Sequence, residues 1–237
     1  MRDIGIGPEL VADEFDLISR AISVENSDIL DIGCGDGAMA RRLAGAGARV
    51  IGIEVDVADV ERAARASADA GTQIRFAVGR AEALRFSDDA FDAVVMLKSL
   101  HHVPPPLMRR ALGEVARVLR PGGLLYVSEP VFAGPFNDIM RIFHDEQAER
   151  AAALAAMHEA AAEGTLELVD ERLFLSPVRF ADFADFDRRM LSLPTLRQPV
   201  TEEIRAKVLA AWERIALPRE GRFERPMRIT LMRSPPA

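Results

Sequence analysis

Apolar residues fall into two rhythms along the first half of the chain. Leu10, Val11, Phe15, Ile18 and Ile22 recur at helical spacing, so residues 9–23 predict an amphipathic helix. Ile29, Leu30 and Ile32 instead form a short, nearly unbroken apolar run, and similar runs return at 49–54, 74–78, 91–97 and 124–128. These read as buried strands. The stretches between them are helical: 38–46, stopped near Gly45 and Gly47; a second reaching Ala70, capped by Asp56 or Asp59; and a third reaching Leu119, opened by Pro104-Pro105-Pro106. Arg120-Pro121-Gly122-Gly123 marks a turn. Strands that are apolar on both sides, alternating with helices across short loops, imply a parallel sheet covered on both faces. Right-handed crossovers then make it an open, doubly wound α/β layer.

The pattern changes after Glu129. Residues 131–135 predict a loop. Residues 136–163 are alanine-rich and contain no proline, which predicts one long helix. A strand at 166–175, helices at 180–191 and 201–215, a two-proline loop at 193–199 and a last strand at 223–232 complete the chain. Phe174, Phe180, Phe183 and Phe186 are expected in the core. Phe132, Phe136, Met140, Ile142, Phe143 and Met157 sit at spacings that favour core over pocket, yet an apolar lid made from them suits a small hydrophobic molecule.

Composition narrows the class. The 237 residues are 49% hydrophobic and 28% charged, enough for one domain with a sizeable core. The net charge of −7 argues against a nucleic-acid partner, which calls for a clustered basic surface. Cys34 is the only cysteine, so no intrachain disulfide forms. The first eight residues lack the apolar core of a signal peptide, and no apolar run approaches the ~20 residues of a membrane span. The expectation is a cytoplasmic monomer or homodimer with no membrane insertion.

The chemistry gathers where the first strand ends. Gly33, Gly35 and Gly37 alternate with Cys34 and Asp36, directly after Asp31 and before a helix. Such a loop lets a ligand approach the backbone, with the first helical N–H groups turned toward it. A dinucleotide loop favours G-x-G-x-x-G and a pyrophosphate. Here the spacing is G-x-G-x-G, and the neighbouring acid suits a cofactor carrying a cationic ammonium. Glu54 ends the second strand about 20 residues on, where an acid accepts from ribose hydroxyls. The segments after strands three and four, 78–84 and 97–102, complete the carboxyl edge of the sheet.

Five stretches together resemble the class I S-adenosylmethionine-dependent methyltransferases of the ubiquinone and menaquinone branch: ILDIGCGDG at 29–37, VIGIE at 50–54, GRAEALRF at 79–86, FDAVVMLKSLHHV at 91–103 and EVARVLRPGGLLYVSEP at 114–130. The resemblance implies a Rossmann-like, mostly parallel seven-stranded sheet with an antiparallel last strand and a helical lid after strand five. It divides a single domain into an N-terminal helical cap (1–26), a cofactor-binding core (27–130), a lid and substrate region (131–200) and a closing helix and strand (201–237). It implies that Asp31 orients the methionine ammonium, that Gly33, Gly35 and Gly37 pass the methionine and ribose, that Glu54 takes the ribose hydroxyls, that Ala81 and Glu82 lie along the adenine, and that Leu97 offers its backbone. Cys34, Val55 and Lys98 complete the expected cofactor set. Arg80 departs from the family, which has an acid there to accept from the adenine amino group; an arginine has no acceptor. It is expected to turn to solvent.

His101, His102 and Glu129 are the candidate catalytic groups, and neighbouring histidines point apart, so at most one is expected to face the pocket. Lys98 either recognises an acidic substrate or snorkels to solvent. No cysteine–histidine cluster has metal-ligand spacing, and His144 and His158 would stand about 20 Å apart on one helix, so no metal is expected. The implied reaction is methyl transfer to oxygen, nitrogen or carbon of a small, partly apolar metabolite, yielding S-adenosylhomocysteine. The alternatives are a catalytically silent S-adenosylmethionine-binding or regulatory protein on the same scaffold, and a nicotinamide-dependent dehydrogenase, which the glycine spacing and Asp31 disfavour.

Overall fold

Strand and helix alternate from residue 28 to residue 130 in a computed structural model that describes residues 10–236 except 73, 193–195 and 197. The expected helix start at Glu9 and part of the expected loop at 193–199 lie outside the described residues. The elements run α1 (Glu14–Ala21), β1 (Asp28–Ile32), α2 (Ala38–Gly45), β2 (Arg49–Glu54), α3 (Val57–Asp69), β3 (Arg75–Val78), β4 (Phe91–Leu97), α4 (Pro105–Val118), β5 (Leu119–Pro130), α5 (Gly134–Met140), α6 (Gln147–Ala162), β6 (Glu167–Arg179), α7 (Phe183–Met190), α8 (Glu202–Ile215) and β7 (Arg222–Arg233). A single 3₁₀ turn, Leu100–His102, joins β4 to α4.

The strands form one sheet in the order β3-β2-β1-β4-β5-β7-β6. The first five are parallel to one another, and β7 enters antiparallel between β5 and β6. Side chains alternate across the sheet, as strand geometry requires. Leu30, Ile32, Val94, Met96, Leu125 and Val127 point to one face, under α4 and α6. Ile29, Ala93, Val95 and Tyr126 point to the other, under α1 and α2. Helix α4 buries Met108, Leu112, Val115 and Val118 almost completely; full burial of such a side chain contributes about 1.5–3 kcal/mol. A third cluster joins α5, α7 and α8 through Phe136, Phe180, Phe186, Trp212 and Phe223. Phe174 packs instead with the α1/α2 face, and Phe183 lies against the third cluster.

Three sequence expectations change. The first helix begins only at Glu14, because Asp13 caps it by accepting from the Phe15 N–H at 2.9 Å. Leu10 and Ala12 instead bond to Leu175 of β6, the sheet's edge strand. The Arg120–Gly123 turn is absorbed into β5 as an irregularity in its pairing with β4. Residues 136–163 are two helices, separated by a turn at 141–146. The cause is tertiary: Glu146 is buried against groups from elsewhere in the fold, and Asp145 accepts from the Gln147 N–H to start α6 afresh.

Candidate cofactor and active site

The glycine loop is fastened to the neighbouring strands by its backbone. The Gly33 and Cys34 N–H groups both donate to the Ile53 carbonyl, at 2.8 and 3.1 Å. Gly33 has φ +72°, and a Cβ there would stand 2.5 Å from the Ser99 Cβ, so only glycine fits. Ser99 in turn donates its hydroxyl to the Ile32 carbonyl at 2.9 Å. Gly35 differs: a Cβ there would meet nothing within 4 Å, because the loop faces a cavity at this point. Glu54 closes the arrangement, accepting from the Gly35 N–H at 3.0 Å and the Val55 N–H at 2.6 Å.

That cavity has a volume of about 480 Å³, within the usual range for small-molecule sites. Of the expected cofactor residues, Gly33, Gly35, Glu54, Val55, Arg80, Ala81, Glu82 and Lys98 line it. Asp31, Cys34, Gly37 and Leu97 do not. Cys34 is buried, and burial pushes its thiol well up, so it is not a nucleophile. Gly37 is the N-cap of α2, and Leu97 packs against the α1/α2 core. Asp56, Asp59, Ser99 and Met96 also line the cavity and were absent from the expected set. Asp56 carried a signal, as the expected cap of α3, and it does cap it, accepting from Ala58 and Asp59.

Asp31 is 1% exposed, and its Oδ2 has no hydrogen-bond partner. Burial first, and the Glu54 charge second, push its carboxyl up to about 7 against the pull of Lys98. Lys98 takes a left-handed backbone, φ +56°, and its ammonium pairs with Glu14 of α1 at 2.9 Å. It therefore ties the first helix to the end of β4, a partner that neither sequence reading of Lys98 included. Arg80 turns outward, with 68% of its side chain exposed and its guanidinium 3.7 Å from the buried Glu82.

A second cluster lies beyond β4 and β5. Glu129 Oε1 accepts from the Leu100 and His101 N–H groups at 2.9 and 3.3 Å, and Oε2 makes a short contact with His101 Nδ1. Glu146 Oε1 faces three imidazoles: His144 Nε2 at 2.8 Å, His101 Nε2 at 3.5 Å and His102 Nδ1 at 3.7 Å. Its other oxygen accepts from Arg150 at 2.8 Å. Burial alone would lower His101, but its bonds to Glu129 and Glu146 outweigh that and raise it to about 9. Burial and the adjacent His101 cation hold His102 down to about 4. Of the two adjacent histidines, His102 lines the cavity and His101 turns inward to Glu129. His144, Glu146 and Arg150 were not singled out as site residues, because nothing along the chain links them to His101. His158 pairs elsewhere, with Glu171 at 2.9 Å.

Residues 29–123 match the family model of a methyltransferase domain. An uncharacterized methyltransferase from Mycobacterium avium is 38% identical over 116 residues, covering 48% of this chain and 44% of that protein. A ubiquinone biosynthesis O-methyltransferase from Xylella fastidiosa is 33% identical over 114 residues, covering 48% and 46%. The chain thus spans less than half the length of these curated relatives. Among solved structures, the [4+2]-cyclase SpnF superposes with a TM-score of 0.67 at 24% identity, covering 94% of this chain and 81% of that one. An S-adenosylmethionine-dependent methyltransferase from Methanosarcina mazei gives 0.62 at 19% identity, covering 96% and 100%. Over residues 29–123 the chain is similar to a methyltransferase domain, and it resembles the class I S-adenosylmethionine-dependent enzymes, with ubiquinone biosynthesis O-methyltransferases among the proteins it matches. The fold is theirs throughout. SpnF, named as a cyclase, has the same fold, so the fold alone does not define a reaction. Among the described residues, no helix is long and apolar enough to cross a membrane.

Proposed function

We propose that the protein transfers a methyl group from S-adenosylmethionine to an oxygen, nitrogen or carbon of a small, partly apolar metabolite. The observation that carries this reading is the cavity bounded by the glycine loop and Glu54, next to a buried acid that lacks a partner. The residues fit this cofactor: the Asp31 carboxylate suits its ammonium, the open side of Gly35 leaves room against the backbone, and Glu54 is placed to exchange its loop contacts for ribose hydroxyls. Ala81 and Glu82 would lie along the adenine. Arg80, turned to solvent, leaves adenine recognition to neighbouring backbone and Glu82.

When bound, S-adenosylmethionine supplies a methyl group on a sulfonium that departs as a neutral thioether. The chain has then to hold the acceptor in line and keep water out. Lys98 and Glu14 fix α1 beside the cavity. Glu129, Phe132, Leu154 and Met157 line a second cavity of about 220 Å³, whose apolar wall supports a partly apolar acceptor. His102 is the histidine placed to meet an acceptor proton, and alignment suffices for acceptors that have no proton to lose. Screening metabolite extracts with isotopically labelled S-adenosylmethionine tests the reading. Label in a small organic product is expected; absence of S-adenosylmethionine binding at millimolar ligand would overturn it.

A further inference from the structure

Three of the four histidines in the chain face one carboxylate oxygen. We propose that His101 Nε2, His102 Nδ1 and Glu146 Oε1 form a binding site for a divalent transition-metal ion of the zinc class. The three donor atoms lie within 4.8 Å of one another. Glu146 Oε1 stands 3.5 Å from one imidazole nitrogen and 3.7 Å from the other. Two donors at ~2.1 Å from a tetrahedral ion are separated by roughly 3.4 Å, so Glu146 Oε1 already stands close to ligand separation from both nitrogens. The site needs chain segments 44 to 45 residues apart, which is why ligand spacing along the sequence gives no sign of it.

The groups behind the donors are those a metal site requires. Glu129 engages His101 Nδ1 and is itself fixed by two backbone N–H groups. A carboxylate on that nitrogen keeps a proton there, so Nε2 is the nitrogen that gives up its proton when an ion binds. Glu146 is oriented in the same way: Arg150 holds Oε2, Asn137 holds Arg150 at 2.9 Å, and Oε1 is left to face the histidines. His144, on the same Oε1, bonds to the ligating carboxylate from outside the triad. Two imidazoles and one carboxylate select zinc, cobalt or iron over magnesium or calcium, which prefer all-oxygen shells. His102 also lines the cofactor cavity, so the ion stands at its wall, where it would take over from His102 the task of favouring the deprotonated acceptor oxygen, the proton passing to water. That last role, unlike the site itself, rests on the methyl-transfer reading.

Chelator-stripped full-length protein titrated with Co(II) and followed by visible absorption tests the site, with Zn(II) as competitor. One Co(II) per chain is expected, with ligand-field bands that Zn(II) abolishes. His102 is half-exposed, so His102→Ala removes a ligand without opening the core and should weaken Co(II) binding at least tenfold. His158→Ala, outside the cluster, should bind as the parent does. No stoichiometric Co(II) binding by the parent protein, or unchanged binding by His102→Ala, would overturn the proposal. Calorimetry with S-adenosylmethionine on the same stripped protein separates the two readings: loss of cofactor binding with Co(II) binding intact removes the methyl-transfer reading alone, and the reverse removes the metal site alone.

Discussion

Two buried acids serve the carboxyl edge of this sheet, and their surroundings are opposite. Asp31 sits beside the glycine loop with one oxygen unpartnered, and burial lifts its carboxyl to about 7. Glu146 sits in the turn between α5 and α6 with His101, His144 and Arg150 around it, and the bonds from the histidines hold it well below the usual carboxylate range despite burial. Beside the glycine loop, Asp31 keeps an oxygen without a partner; in the turn, both oxygens of Glu146 are met by histidine or arginine side chains. An acid left without a partner at a cavity's edge costs folding energy that a cationic ligand recovers on binding. An acid that is already surrounded orders the fold around it.

The largest effect should come from breaking the satisfied side. Glu146→Ala removes the anion that Arg150 and His144 face and leaves His101 with Glu129 alone. Losing one member of a buried ion pair costs about 3–5 kcal/mol, so urea denaturation should show a much lower midpoint; an unchanged midpoint would mean that Glu146 does not organise the turn.

Asp31→Asn should behave in the opposite way. The folded carboxyl titrates near 7, against 3.8 for an ordinary aspartate, so folding favours its protonated form. The stability this gives is full below pH ~4 and is lost as the pH rises through ~7. The parent protein should therefore lose up to about 4 kcal/mol relative to Asp31→Asn between pH 4 and pH 8, measured as the difference between their urea curves at each pH. A pH-independent difference would show that Asp31 is not held in the state described.

Smaller effects follow from the loop's other contacts. Glu54→Ala should weaken S-adenosylmethionine binding about tenfold or more, the usual size of a charge-assisted hydrogen bond, with little change in melting temperature; equal affinity would place the ribose elsewhere. Arg80→Ala should change affinity less than about twofold, since its ion-pair partner Glu82 is 3.7 Å away and the arginine is largely exposed. A larger loss would bring Arg80 into the adenine site.

The same contrast separates what was legible in the sequence from what was not. The glycine loop, Glu54 and the five parallel strands are local features, written as short apolar runs, caps and turns within a few residues of one another. The turn at 141–146 is not local. An alanine-rich stretch without proline has every intrinsic reason to continue as a helix, and the contacts that interrupt it come from His101 and His102, about forty residues earlier. Strand β6 likewise runs past Pro177 to Arg179 because β7 pairs with it along its length; at the edge of a sheet, the missing proline N–H costs no ladder bond. Lys98 shows the limit most sharply: its place after β4 was readable, but its partner Glu14 lies on a helix 84 residues away.

Calorimetric titration of S-adenosylmethionine into the parent protein and into Asp31→Asn, both at pH 8, tests the contrast most directly. Single-site binding by the parent, weakened tenfold or more in Asp31→Asn although that variant is the more stable fold, is the predicted result. Equal affinities, or no binding by the parent at millimolar ligand, would contradict it.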